Sequence, residues 1–185
     1  STRRTGWSVA NGQIDLAIIG GQLPADLENL LQVIPYATDE LALVLPPKHP
    51  LSNKKELLKE DLYKLNFVTL DSQSTTRKVV DKLLKDSGLD IQRLKIEMEL
   101  NSLEAIKNAV QSGLGASFLP VVSIERELEG GSIHKPLVAD LEVKRELKLI
   151  TNPSRYTSRA SDAFKKNILP QFASINSPLR KIPLG

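Results

Sequence analysis

The segment TLDSQSTTRKVVDKLL, which begins at Thr69, sets five small hydroxyl or amide side chains in a row, Ser72 to Thr76, directly before Arg77 and a helical pattern. A helix N-terminus presents backbone N–H groups and the positive end of the peptide dipole. Hydroxyl donors and a fixed positive charge at that point suit a carboxylate or a phosphate. The simpler account is a helix cap: Asp71, Ser72 or Ser74 serves as the capping residue, and Arg77 points to water. A cap needs only one such residue, and the surplus of hydroxyls keeps the anion site open. A second polar helix mouth, Asn101-Ser102, follows one strand later. Successive parallel strands present their C-terminal ends along one edge, so the two mouths are expected side by side.

Other chemistry is thin. There is no G-x-S-x-G, no H-E-x-x-H and no Walker loop. GLGASF carries two glycines of a dinucleotide fingerprint, Gly113 and Gly115. It runs from a helix into a strand, the reverse of the fingerprint, and reads as a tight turn. His49 and His134 are far apart with no clustered carboxylates, so neither suggests a metal site. Asp26, Glu28 and the Asp39-Glu40 pair have no visible base or oxyanion donor beside them and read as a solvated face. Nothing here argues for an enzyme or a bound cofactor.

These residues need a scaffold, and the chain supplies alternating helix and strand patterns. Residues 3–12 end a helix, with Trp7 and Ala10 as candidate buried positions and Asn11-Gly12 as the stop. IDLAIIGG is a continuous apolar run, expected as a strand buried on both faces. LENLLQVIPY is a strand or a mixed segment, and DELALVLPP a strand ended by Pro46 and Pro47. KKELLKEDLYK is expected as a short helix and NFVTL as a strand. A helix over Ser74–Ser87 puts Val79, Val80, Leu83 and Leu84 on one face and stops at Gly88. KIEMEL alternates, so Ile96, Met98 and Leu100 are expected on a covered face. Asn101, with Glu104 three residues on, has the form of a capping box. GASFLP and RELKLITN are strands, VVSIERELEGG a short helix, and SRASDAFKKNILPQFASI a last helix facing Ala160, Ala163, Phe164 and Ile168 inward. Such alternation implies α/β architecture with mostly parallel sheet. It begins on a helix feeding a strand, so either the fold starts with a helix or an earlier strand has been cut off.

The chain has 185 residues, 41% apolar and 25% charged, with no cysteine, which suits one globular domain or two small ones without disulfides. No apolar run approaches the roughly 20 residues of a membrane span, and no secretory signal is present. Its first residue is Ser, which suggests a fragment or a processed chain. Residues 1–47 carry an excess of acidic groups, and the chain from Arg155 an excess of basic ones. No helix carries a Lys and Arg stripe with interleaved aromatics, so no nucleic-acid surface is expected in these residues. SPLRKIPLG is expected to fray.

Taken in order, VANGQIDLAIIGG, DELALVLPPKHPLS, TLDSQSTTRKVVDKLL, LNSLEAIKNAVQSGLGASFLP and SRASDAFKKNILPQF resemble the effector-binding domain of LysR-type transcriptional regulators over nearly all of residues 3–173. EAIKNAVQSGLGASFLP is the most specific part. The likeness is greatest to regulators of carbon-fixation and inorganic-carbon-uptake genes in cyanobacteria, plastids and autotrophic bacteria. The resemblance implies a periplasmic-binding-protein-like fold of type II, with two α/β subdomains and two crossover strands. Subdomain I is then expected over 1–47 and 148–185, lacking its first strand and helix, and subdomain II over 48–147, with crossings near Pro46–Pro50 and Lys144–Lys148.

A small anionic metabolite is expected in the cleft between the subdomains: a phosphorylated sugar or acid, a nicotinamide nucleotide such as NADPH, or a 2-oxo acid. Carried over by position, effector contacts fall on Ser74, Thr75, Thr76, Arg77, Asn101, Ser102 and Phe118, with Gly20 and Gly21 on the first subdomain. The family pattern moves the weight on Ser72–Arg77 from cap to ligand site. It also implies a homodimer or tetramer, DNA contact only through an N-terminal winged helix-turn-helix not in this chain, and a place in the cytoplasm or the plastid stroma. A transport-type solute-binding protein shares the fold and is the alternative.

Overall fold

The computed structural model describes residues 1–167. Two compact units emerge, Ser1–Asp39 with the chain from Arg145, and Glu40–Lys144. The chain passes from the first to the second along strand β2 (Gln32–Val44) and returns at the start of β8 (Lys144–Thr151).

In the first unit, helix α1 (Thr2–Ala10) packs beside β1 (Leu16–Ile19), followed by the single turn α2 (Ala25–Glu28). Val9, Ala10, Ile19, Leu23, Leu27, Leu31 and Ile150 form the core. Gly6, Val9 and Ala10 supply the buried face of α1, at the spacing of successive helical turns. Trp7 is exposed, contrary to expectation. The reason is the close approach at Gly6, where an added Cβ would stand 2.7 Å from Leu27 Cδ1. Asn152 Nδ2 and Arg155 Nε both donate to the Ala10 carbonyl, which satisfies the C-terminal end of α1.

Strand β8 lies between β1 and β2. It runs antiparallel to β1, with Leu16 opposite Thr151 and Ile19 opposite Lys148. The mostly parallel sheet expected from the helix–strand alternation is therefore wrong here. Alternation along the chain does not say which way the returning crossover strand runs. Nor is β1 buried on both faces, since Ile18 is exposed and only Ile19 is buried. The two segments read as LENLLQVIPY and DELALVLPP become α2 and one 13-residue strand, β2. Pro35 removes a ladder donor but stands in the exposed first part of that strand, where the loss is tolerated.

The second unit holds β3 (Glu56–Leu57), β4 (Asn66–Leu70), α3 (Thr75–Asp86), β5 (Lys95–Leu100), α4 (Leu103–Gln111), β6 (Ser117–Pro120), α5 (Glu125–Glu129) and β7 (Leu137–Val138). Here β4 pairs parallel with β5 and β3 with β7, while β6 runs antiparallel to β2. One core gathers Leu41, Leu43, Leu62, Phe67 and Leu84 under α3, and another Val44, Val68, Ile106, Val110 and Leu119 under α4.

Residues 54–64, expected as a helix, form β3 and a 3-10 turn over Lys59–Lys64. Buried Asp61 explains the choice: its carboxylate accepts from the Leu58 N–H at 3.1 Å and from Lys64 Nζ at 2.7 Å, closing the turn. Met98 on β5 is exposed, so the covered face of that strand is Ile96 and Leu100 only. Gly115 sits where a Cβ would meet the Asn66 carbonyl oxygen at 2.7 Å, so GLGASF is a close strand approach. In α6 (Arg159–Asn167) the buried residue is Ser161, with Phe164 half-buried; Ala160 and Ala163 are exposed, so the inward face is turned by one residue. Ile168 and the SPLRKIPLG segment lie outside the described residues.

Candidate functional site

Strand pairing brings the two polar helix mouths together. The parallel register of β4 and β5 ends with Leu70 opposite Leu100. One residue further on, the Asp71 N–H donates to the Leu100 carbonyl at 3.0 Å. Helices α3 and α4 therefore start from adjacent strand ends. The loop between β4 and α3 is shaped by Asp71, whose carboxylate accepts from the Gln73 N–H at 2.9 Å and whose carbonyl accepts from the Ser74 N–H at 2.9 Å. Ser74 stands at the capping position of α3, yet its side chain makes no capping hydrogen bond. At the second mouth the cap is Ser102, whose hydroxyl accepts from the Ala105 N–H at 3.5 Å. Asn101, expected as the cap, lies one residue outside the helix and is exposed. The extended backbone at Ser102 puts its hydroxyl, and not the Asn101 amide, over the first turn.

Arg77 does not face the helix mouth or water. Its Nε donates to both carboxylate oxygens of Asp81, at 2.9 and 2.8 Å. Its Nη1 donates to Thr69 Oγ1 at 2.7 Å, to the Leu70 carbonyl at 3.3 Å and to Glu99 Oε1 at 3.1 Å. The Arg77 side chain is 16% exposed, and its guanidinium ties α3 to the C-terminal ends of β4 and β5. Two carboxylates around one cation leave this cluster net negative. The hollow beside it, lined by Thr69, Thr76, Arg77, Val80, Asp81 and Phe118 among others, has about 30 Å³, room for one water but no metabolite. Asp81 was readable as the i+4 partner of Arg77; Glu99 was readable only as an exposed position of β5.

Phe118 on β6 is half-buried and stacks on Phe67 of β4, with ring centroids 6.2 Å apart and planes 6° from parallel. A cavity of about 210 Å³ opens against Phe118, with Glu40, Leu43, Lys135 and Leu141 in its wall. In the first unit, Gly20 and Gly21 follow the end of β1. A Cβ on Gly20 would meet Arg145 Nε at 3.1 Å and Cζ at 3.2 Å, so the arginine side chain passes close to the bare backbone. Both Nε and Nη2 of Arg145 donate to Asp39 Oδ2, at 2.8 and 2.6 Å. Sequence reasoning did not single out Arg145, and assigned Asp39 to a solvated face although it is buried. No local signal links two residues 106 positions apart.

Lys107 is buried on α4 and donates to Glu127 and to the Ser123 carbonyl, with Glu104 as a further ion partner. Glu104 and then Glu127 hold its ammonium above the ordinary range against the opposing effect of burial. His49 Nδ1 accepts from the Leu51 N–H, and burial lowers its pKa. His134, read as lying in a loop, exchanges backbone hydrogen bonds with Leu45 at 2.9 and 2.8 Å as an isolated bridge. Among the described residues no group of three or more His, Cys, Asp or Glu could hold a metal ion, and no helix is long and apolar enough to cross a membrane.

This pattern of strand ends and helix mouths has a family. The description of the LysR substrate binding domain matches residues 2–173. The chain belongs to that family. It is 60% identical over 174 residues, 94% of its length, to the "Probable RuBisCO transcriptional regulator" of Synechocystis sp., of which it covers 50%. It is 56% identical over 94% of its length to the protein of the same name from Porphyra purpurea, covering 55% of that relative. This LysR domain thus spans about half the length of the curated relatives it matches. Among solved structures it is similar to the Synechocystis CcmR regulatory domain in complex with 2-PG, with a TM-score of 0.77 and 21% identity over 97% of this chain and 81% of that one. It is also similar to the effector binding domain of QuiR in complex with shikimate, with a TM-score of 0.73 and 22% identity over 95% and 79%. At such identities these structures speak for the fold alone, a LysR regulatory domain of the type II periplasmic-binding-protein kind.

Proposed function

We propose that this chain is the metabolite-sensing domain of a LysR-type DNA-binding transcriptional regulator that controls carbon-fixation genes, RuBisCO genes among them. The observation that carries the reading is 60% identity across 94% of the chain to probable RuBisCO transcriptional regulators. The domain senses and does not catalyse. It acts as a homodimer or tetramer in the cytoplasm or plastid stroma, and DNA is held by a winged helix-turn-helix outside these residues.

The effector is a small anion, and 2-phosphoglycolate (2-PG) is the first candidate because a structurally similar CcmR domain is described in complex with 2-PG. In the second unit, the donors that serve it are the hydroxyls and N–H groups of Ser74, Thr75 and Thr76 and the polar groups of Asn101 and Ser102, with Phe118 as an apolar wall. Arg77 positions the mouths: it draws its bonds from α3, β4 and β5 together, so it fixes where the donors of one mouth stand relative to the other. The effector acts by population shift, to the extent that it binds one conformation better than another.

The test is calorimetric titration of the full-length protein with 2-phosphoglycolate, ribulose bisphosphate, NADPH and 2-oxoglutarate. Saturable binding of at least one, with a matching change in affinity for promoter DNA, is the expected result. Binding of none of the four removes the carbon-fixation assignment.

A further inference from the structure

Strand β2 turns its main-chain groups alternately to either side, and on the side away from β6 one residue meets a gap. The Leu41 N–H donates to the Val143 carbonyl at 2.8 Å, and Leu45 exchanges hydrogen bonds with His134 at 2.8 and 2.9 Å. Leu43 lies between them in the same alternation, so its N–H and carbonyl point the same way. They do not turn to β6. The residue opposite there, Phe118, alternates with Ala116, whose main-chain groups are bonded to Asn66 and Val68 of β4. Among the described residues no hydrogen bond joins Leu43 to the returning segment, although Leu43 is only 3% exposed. A buried N–H and carbonyl call for a partner.

The gap has a cause. Leu137 and Val138 pair parallel with Glu56 and Leu57 of β3, and the Ala139 N–H donates to the Leu57 carbonyl at 2.8 Å. Residues 135–142 are thereby drawn away from residues 42–44, and Asp140, with a left-handed φ of 53°, turns the chain back. Between them lies the cavity of about 210 Å³, walled by Leu41, Leu43, Phe118, Val138 and Leu141 and lying wholly within the second unit. For scale, an apolar cavity of roughly 150 Å³ holds one benzene. The charges in its wall are already balanced, Glu40 by Lys135 at 2.9 Å and Glu142 by Lys144, so the site does not favour an ion.

We propose that this cavity binds a small uncharged molecule with an apolar body and a carboxamide, seated on the main chain of Leu43. The N–H and carbonyl of one extended residue stand side by side. A carboxamide answers them with an adjacent acceptor and donor, whereas a carboxylate offers two acceptors and would set one against the Leu43 carbonyl. Phe118, Leu41 and Leu141 take the apolar body. The site shares only Phe118 with the proposed anion site and does not rest on it.

The experiment titrates the full-length protein with three probes of one shape: benzamide, N,N-dimethylbenzamide, which lacks the N–H, and benzoate. Calorimetry gives the Kd, and hydrogen exchange resolved to the Leu43 amide reports the seat. Benzamide is expected to saturate with a Kd on the order of 1 mM or tighter. The other two are expected to bind at least about fivefold more weakly, since each leaves the Leu43 carbonyl without a donor. Benzamide is expected to slow exchange at Leu43. Leu141→Trp, which fills the cavity, is expected to weaken benzamide binding tenfold or more and to leave the Kd for 2-phosphoglycolate within about twofold. If benzamide does not saturate, if the three probes bind alike, or if exchange at Leu43 is unchanged, water is the partner of Leu43 and the inference is overturned. A Leu141→Trp protein, folded by circular dichroism, that keeps the native Kd for benzamide overturns it too. Should that variant not fold, the three probes and the Leu43 amide of native protein decide alone.

Discussion

Replacing Arg77 with Ala separates two roles for the most suggestive residue in this chain. The native guanidinium makes five hydrogen bonds, three of them to carboxylate oxygens of Asp81 and Glu99. Without it the two carboxylates face each other with no cation between them. Breaking a fully buried ion pair costs about 3–5 kcal/mol, and an exposed pair is worth ~0–1 kcal/mol. Arg77 is 16% exposed, but Asp81 is 27% and Glu99 43% exposed, so water can reach the orphaned carboxylates. The expected loss is therefore about 2 kcal/mol, which for a chain of this size lowers Tm by roughly 4–8 °C. Binding of 2-phosphoglycolate should weaken about tenfold, because the two donor-rich mouths lose their common anchor. Differential scanning calorimetry and titration give both numbers. The deciding variant is Asp81→Asn. An arginine that binds the anion directly is released by this change and tightens binding, whereas a positioning arginine keeps Glu99, Thr69 and Leu70 and leaves the Kd within about twofold. Several-fold tighter binding by Asp81→Asn, or an Arg77→Ala variant melting within about 1 °C of native, refutes the positioning role.

Other expectations are independent of the ligand. Asp61 is held down to about 2, first by the Lys64 ammonium and then by the Leu58 N–H, against an ordinary value of 3.8. A depressed carboxyl stabilises the fold above its unfolded pKa. About 2 kcal/mol should therefore be present at neutral pH and be lost as pH falls from near 4 to near 2. Urea midpoints across that range should show the loss in native protein and not in Asp61→Asn. Gly115→Ala drives a methyl into the Asn66 carbonyl oxygen, a backbone atom of a core strand. It should cost about 1–3 kcal/mol, read as a lower urea midpoint at unchanged slope. Lys107→Ala leaves Glu127, 17% exposed, without its cation. A loss of about 2–3 kcal/mol is expected, part of which returns when Glu127→Gln is added, as a double-mutant cycle will show.

Much of the second unit was readable in one dimension. NFVTL, the helix from Ser74 and GASFLP all form where their patterns place them, as does RELKLITN in the first unit, because each is decided by neighbours within a few residues. Where a long-range partner competed, the local reading failed. The pattern of KKELLKEDLYK is helical, yet the parallel pairing of Leu57 with Val138 and the bonds to buried Asp61 outweigh it. Trp7 was a candidate buried position, and the approach of Leu27 to Gly6 turned that face of α1 inward instead.

The same division runs through the candidate site. Hydroxyl-rich helix mouths after two successive strands can be read directly from residue types and order, since strand, turn and helix follow one another along the chain. The family was legible too, because its motifs are contiguous stretches. Whether a charged side chain faces a ligand, a neighbour or water is not written in any contiguous stretch. Arg77 meets Glu99 across 22 residues, and Arg145 meets Asp39 across 106. The charge on each arginine was certain from sequence alone. Which anion it holds depends on strands brought together by folding, and only the tertiary structure decides that.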